Sequence, residues 1–157
     1  MPDELWGELN IRWIVAGDGK HLGSAREALE RAELSRRVRL PGWVDNPGGH
    51  YSWCDVYVHV TRLDNFPNAT MEAMAAGKPV ITNADSCGVR EQVMDGINGR
   101  VVDGADEFAD AIVEYASTPS LRDAHGRAGA KMVREHWSIE AVRESMEDAI
   151  DGFFGGE

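Results

Sequence analysis

The sequence predicts an α/β fold on a doubly wound parallel sheet, with extra helices at its C-terminal end. Short β-branched and aromatic runs alternate with segments whose apolar residues recur at helical spacing. The connections between them are short and rich in Gly, Pro, Asn and Asp. That order gives parallel strands joined by right-handed crossovers.

Taken in turn, Asn10 to Ala16 reads as a buried strand emptying into the tight turn Gly17-Asp18-Gly19. From His21 to Leu34 the residues Leu22, Ala25, Ala28, Leu29, Ala32 and Leu34 form one helical face, opposite a charged and solvated one. Arg37 to Leu40 is a second strand, ended by Pro41-Gly42. The Gly/Pro-rich stretch Asn46 to Gly49 precedes a short segment around Tyr51 to Cys54. Asp55 to Val60 is a third strand, apolar apart from Asp55 and His59 as a strand covered on both faces should be, with His59 a core or strand-end histidine. Asn68 to Ala76 is a helix stopped by Gly77 and Pro79. Pro79 to Thr82 and Gly99 to Val102 complete the strands, with a short helix from Val89 to Met94 between them. Helices follow over Asp106 to Ala116, Pro119 to His136 and Ser138 to Phe153, the last with Ser138 as N-cap.

A chain of 157 residues fits one domain, 1–157, burying roughly two-thirds of its unfolded surface. With 27 acidic against 16 basic residues the net charge is −11, which excludes partners bound by neutralising many phosphates, such as nucleic acids. Cys54 and Cys87 have neither a disulfide framework nor a metal-ligand spacing around them, and read as small buried apolar residues in a reducing, cytoplasmic compartment. The longest apolar runs fall far short of the roughly 20 residues a bilayer span needs, and no signal-peptide pattern opens the chain.

In open α/β sheets ligands bind beyond the carboxyl ends of the strands, where loops run into helix N-termini. The loop after the third strand, Thr61 to Pro67, is the richest candidate. The helix that follows should present the free N–H groups of Asn68, Ala69 and Thr70, and its dipole, to a phosphate. Asp64 and Glu72 flank that seat. Carboxylates repel a phosphate but accept paired hydrogen bonds from sugar hydroxyls, and Glu72 stands in a helix otherwise made of apolar and small residues, where a charge should face a ligand or partner.

These residues resemble the retaining glycosyltransferases of group 1, family 4, enzymes of the two-domain GT-B fold. The family signature is an acid, seven residues and a glutamate, then Ala-Met-Ala-x-Gly-x-Pro-Val. Here it reads Asp64 through Glu72, then Ala73-Met74-Ala75-Ala76-Gly77-Lys78-Pro79-Val80. Four further blocks match in order: Ala16 to Gly19, Leu40 to Val44, Gly88 to Val93 and Asp95 to Val102. The resemblance implies a Rossmann-like domain, the C-terminal, nucleotide-sugar-binding half of the GT-B fold. By position, Asp64 is implied as the catalytic-site acid touching donor-sugar hydroxyls and Glu72 as the acid holding the ribose. The N–H groups of Asn68 and Ala69 are implied to bind the distal phosphate, Trp43 and Val44 to border the base, and Gly17, Phe66 and Pro67 to line the donor site. The implied partner is a nucleoside diphosphate sugar, the implied reaction transfer of a hexose to a glycan or lipid-linked acceptor, and no metal or cofactor is implied.

The pattern departs from the family at several points. The first acid is Asp, shorter than the commoner Glu, and Asn65-Phe66-Pro67-Asn68 replaces a glycine-rich stretch, so Pro67 supplies no N–H. The first strand–helix unit of the domain, with an Arg and a Lys that neutralise the diphosphate, and the N-terminal acceptor domain are expected to be missing. A peripheral seat at a membrane in the full-length enzyme stays open. Alone the fragment is expected to be inactive, leaving Trp137, Ile150, Phe153 and Phe154 exposed on the last helix. The other readings are a catalytically silent nucleotide-sugar-binding module, a sugar-nucleotide epimerase and a receiver-like module. Epimerases lack the acid-x7-Glu block, and a receiver needs an acidic cluster that Asp18 alone does not make.

Overall fold

The computed structural model describes residues 8–154 and contains the five expected strands, all paired in parallel and alternating with helices. The chain divides into two compact units, one ending at Gly49 and the other starting at His50.

In the first unit β1 (Trp13–Ala16) pairs with β2 (Val38–Gly42), Trp13 opposite Val38 and Ala16 opposite Gly42. Helix α1 (Leu22–Arg31) lies between them in sequence, and Arg26 Nη2 donates to Leu40 O at 3.2 Å, tying α1 to β2. Gly17 and Gly19 have φ of +141° and +148°, backbone that L side chains rarely adopt, which is why the turn out of β1 uses glycine. The expectation that β1 is buried fails: Ile14 and Val15 are 38% and 48% exposed. Apolar sequence makes a strand, but one neighbouring strand and one helix cannot cover both of its faces. Helix α2 (Gly48–Trp53) runs through the boundary between the units; the segment near Tyr51 is helical.

The second unit holds a sheet in the order β3 (Tyr57–His59), β4 (Val80–Asn83), β5 (Gly99–Val102). The helices are α3 (Asn68–Ala75), α4 (Val89–Gln92), α5 (Gly104–Ser117), α6 (Pro119–His136) and α7 (Ile139–Phe154). Strand β3 is shorter than expected, Asp55 and Val60 lying outside its pairing, and its residues are half-buried. Central β4 is the buried strand, with Val80 and Ile81 at 0% exposure. Met74, Val80, Val89 and Val93 form the core, with Tyr57, Val101, Met132, Val133 and Trp137 packed against it. Each such side chain contributes about 1.5–3 kcal/mol by leaving water.

Close backbone approach fixes α3 against α6: a Cβ on Gly126 would lie 1.9 Å from Gly77 O. Two buried polar groups are paired: Tyr115 Oη lies 2.8 Å from His125 Nδ1, and Asn98 joins Gln92 O and the Met94 N–H at 2.9 and 2.7 Å. The Arg100 guanidinium grips Glu114 with two bonds of 2.8 and 2.6 Å and holds its carboxyl below the usual range. Ser138 caps α7 as expected, its Oγ accepting from Ala141 N–H at 3.1 Å.

Candidate functional site

The loop from β3 to α3 is the part of the second unit best placed to hold a ligand, and its shape comes from its neighbours. Asn83, ending β4, grips Thr61 like a continued strand pair: Thr61 N–H donates to Asn83 Oδ1 and Asn83 Nδ2 donates to Thr61 O, both at 2.9 Å. Gly88 N–H donates to Asp64 O at 3.2 Å, and a Cβ on Gly88 would fall 1.5 Å from Asn65 O. Gly88 has an ordinary helical φ of −74°, so space, not conformation, demands glycine there. Buried Gln92 then donates through Nε2 to Pro67 O at 3.2 Å. Three residues of the β4–α4 segment thus hold the loop at its start, middle and end.

Pro67 takes the N-cap position of α3 in extended backbone, and no side chain caps the helix. Thr70 N–H, expected to be free, instead donates to Pro67 O at 3.2 Å. That tight first turn leaves the N–H groups of Asn68 and Ala69 without an acceptor among the described residues. Two donors on the positive end of the helix dipole make a seat for an anion.

Asp64 is half-buried, its Oδ2 lying 3.4 Å from His59 Nε2. Glu72 is exposed, and its carboxylate stands beside the Tyr51 hydroxyl. Burial first, and then the Glu72 charge, push the Tyr51 pKa up to about 12. The Tyr51 ring meets Tyr57 edge-on at 5.6 Å, and Tyr57 Oη lies 3.1 Å from His59 Nδ1. A chain of side chains therefore runs from Glu72 to Asp64 through Tyr51, Tyr57 and His59. Sequence reasoning read His59 as a core or strand-end histidine and missed Tyr51, whose one signal was an aromatic residue just ahead of a strand.

Phe66 packs edge-on against Trp137, the centroids 5.4 Å apart. Trp137 is consequently half-buried, against the expectation that it stands exposed, because the Phe66 ring and the core cover it. Ile150, Phe153 and Phe154 are exposed as expected, at 53%, 81% and 75%. Pro67 is buried. Gly17, Trp43 and Val44 stand in the first unit. There Gly17 N–H donates to Gly42 O at 2.8 Å, Val44 is half-buried, and Trp43 is 74% exposed with Nε1 donating to Asp45 at 2.8 Å.

Comparison with known proteins matches the chain to one family. The family model described as glycosyl transferases group 1 matches residues 3–118. The D-inositol 3-phosphate glycosyltransferase of Kribbella flavida is 33% identical over 146 residues, covering 85% of this chain and 34% of that protein. The poly(glycerol-phosphate) alpha-glucosyltransferase of Bacillus subtilis is 25% identical over 147 residues, 87% of this chain and 22% of that one. HepE of Anabaena, solved in complex with UDP and glucose, superposes with a TM-score of 0.80 at 18% identity, over 94% of this chain and 43% of its own. The chain spans less than half the length of these relatives, and its fold is that of a Rossmann-like half of a GT-B protein.

Proposed function

The chain belongs to the group 1 glycosyltransferases, and from that premise we propose that it carries the donor-binding site of a retaining sugar transferase, which seats a nucleoside diphosphate sugar against α3. The observation that carries this reading is the uncapped N-terminus of α3, with the two free N–H groups of Asn68 and Ala69 between the carboxylates of Asp64 and Glu72. The distal phosphate takes the two N–H groups, Asp64 accepts from sugar hydroxyls and Glu72 from the ribose pair. The likeness to HepE, a protein solved with UDP, supports the choice of nucleotide-sugar chemistry.

As the glycosidic bond breaks, negative charge grows on the leaving diphosphate, and donors already aimed at that position stabilise it without reorganising. Transfer of a hexose to a glycan or lipid-linked hydroxyl with retained configuration is proposed for a protein of the relatives' full length. The 157 residues alone bind donor weakly and transfer little.

Titration calorimetry of the chain with UDP-, GDP- and ADP-sugars tests this. One class of nucleotide sugar binds, with a Kd of about 0.1–1 mM, and Glu72→Ala weakens it about tenfold by removing the acceptor of two hydroxyl groups. Absence of binding by every nucleotide, or indifference to Glu72→Ala, overturns the reading.

A further inference from the structure

His59 ends β3 and stands between two groups of the site. Residues i and i+2 of a strand share a face, and Tyr57 Oη lies 3.1 Å from His59 Nδ1. At the other side of the ring Nε2 lies 3.4 Å from Asp64 Oδ2, the two side chains being 17% and 36% exposed. Nε2 is buried and makes no aligned hydrogen bond, so this approach is an electrostatic contact that rotation of the carboxylate converts into an N–H···O bond. Both backbones are anchored: Thr82 Oγ1 donates to His59 O at 2.9 Å, and Gly88 N–H to Asp64 O at 3.2 Å. What remains free is the rotation of the Asp64 side chain.

A carboxylate only accepts hydrogen bonds, so the ring proton belongs on Nε2, which leaves Nδ1 to accept from Tyr57. Burial pushes the Tyr57 pKa up and keeps that hydroxyl protonated.

We propose that His59 is the positioning residue for Asp64: its Nε2–H takes Oδ2, fixes the plane of the carboxylate and leaves Oδ1 to the sugar hydroxyls. The inference rests on the reading of Asp64 as the sugar contact. Hydrogen bonds of this kind are often long before the ligand arrives and tighten in the complex, and a carboxylate oriented in advance loses less freedom on binding.

Two measurements on the full chain test it. Without ligand, the nitrogen NMR spectrum of the imidazole shows the Nε2 proton, and Asp64→Asn shifts the Nε2 resonance. A ring protonated on Nδ1, or a resonance blind to Asp64→Asn, overturns the proposal. With ligand, calorimetry compares UDP against UDP-glucose and GDP against GDP-mannose. His59→Leu weakens the sugar-bearing ligand about tenfold and the bare nucleotide less than twofold. His59→Gln, whose amide nitrogen reaches the place of Nε2, recovers most of the loss. Equal loss for sugar-bearing and bare nucleotide, or no recovery by glutamine, overturns it. If no nucleotide sugar binds the unaltered chain, the donor reading fails, and the imidazole spectrum alone decides whether His59 orients Asp64.

Discussion

Strands β1 and β4 are alike in composition and opposite in environment. In β1, Ile14 and Val15 are 38% and 48% exposed, while in β4 Val80 and Ile81 are at 0%. Each is a parallel strand of four residues, but among the described residues β4 has a neighbour on both edges and β1 on one. Helices α3, α5 and α6 pack around the sheet of the second unit, whereas α1 has no buried residue. Apolar side chains thus contribute according to the number of layers around them, and the site follows that division: its precise loop stands on the unit that has a packed core.

The strongest way to break the contrast is Met74→Ala. Met74 is at 0% exposure at the centre of the second core, and its loss costs about 2–5 kcal/mol, read as a fall in denaturant midpoint. A cost below about 1 kcal/mol would show that this core is not the packed one.

Gly88→Ala comes next, since its Cβ meets Asn65 O at 1.5 Å and backbone must move. The expected cost is about 1–3 kcal/mol, and nucleotide-sugar binding falls more than the stability change alone requires, because the loop is displaced. Unchanged binding in calorimetry would detach the β4–α4 segment from the site.

A smaller effect is read from pH. Burial, foremost, lowers the pKa of His125 below its ordinary 6.5, next to Tyr115. Between the lowered value and 6.5 the unfolded chain binds the proton and the folded chain does not, so stability is full above 6.5 and falls as the pH drops through that window. His125→Gln removes this part of the slope; a denaturation midpoint whose pH slope is the same in both proteins contradicts the assignment.

The smallest effect is expected from Val15→Thr on the exposed strand, within about 0.5 kcal/mol. A loss of about 2 kcal/mol would mean that β1 is covered, and would erase the difference between the strands.

Much of the chain was legible before any coordinates. The run from Gly99 to Val102 and the helix from Pro119 to His136 have the bounds expected of them, because their patterns and end signals are local. The acid-x7-Glu spacing placed Asp64 and Glu72 about the start of α3 for the same reason. The misjudged points depend on contacts that the pattern of residue types does not specify. Trp137 is half-buried because Phe66 lies 71 positions away in sequence, yet in contact. Thr70 N–H is occupied because Pro67 O tightens the first helical turn.

By itself, then, the sequence determined the succession of strands and helices, the family signature and the two carboxylates of the proposed site, since each is written in the spacing of neighbouring residues. Only the tertiary structure decided which strand is buried, that Gly88 must lack a side chain, and that Tyr51, Tyr57 and His59 link Glu72 to Asp64. Those depend on what lies across a gap of a few ångströms, a distance set by packing and not by position along the chain.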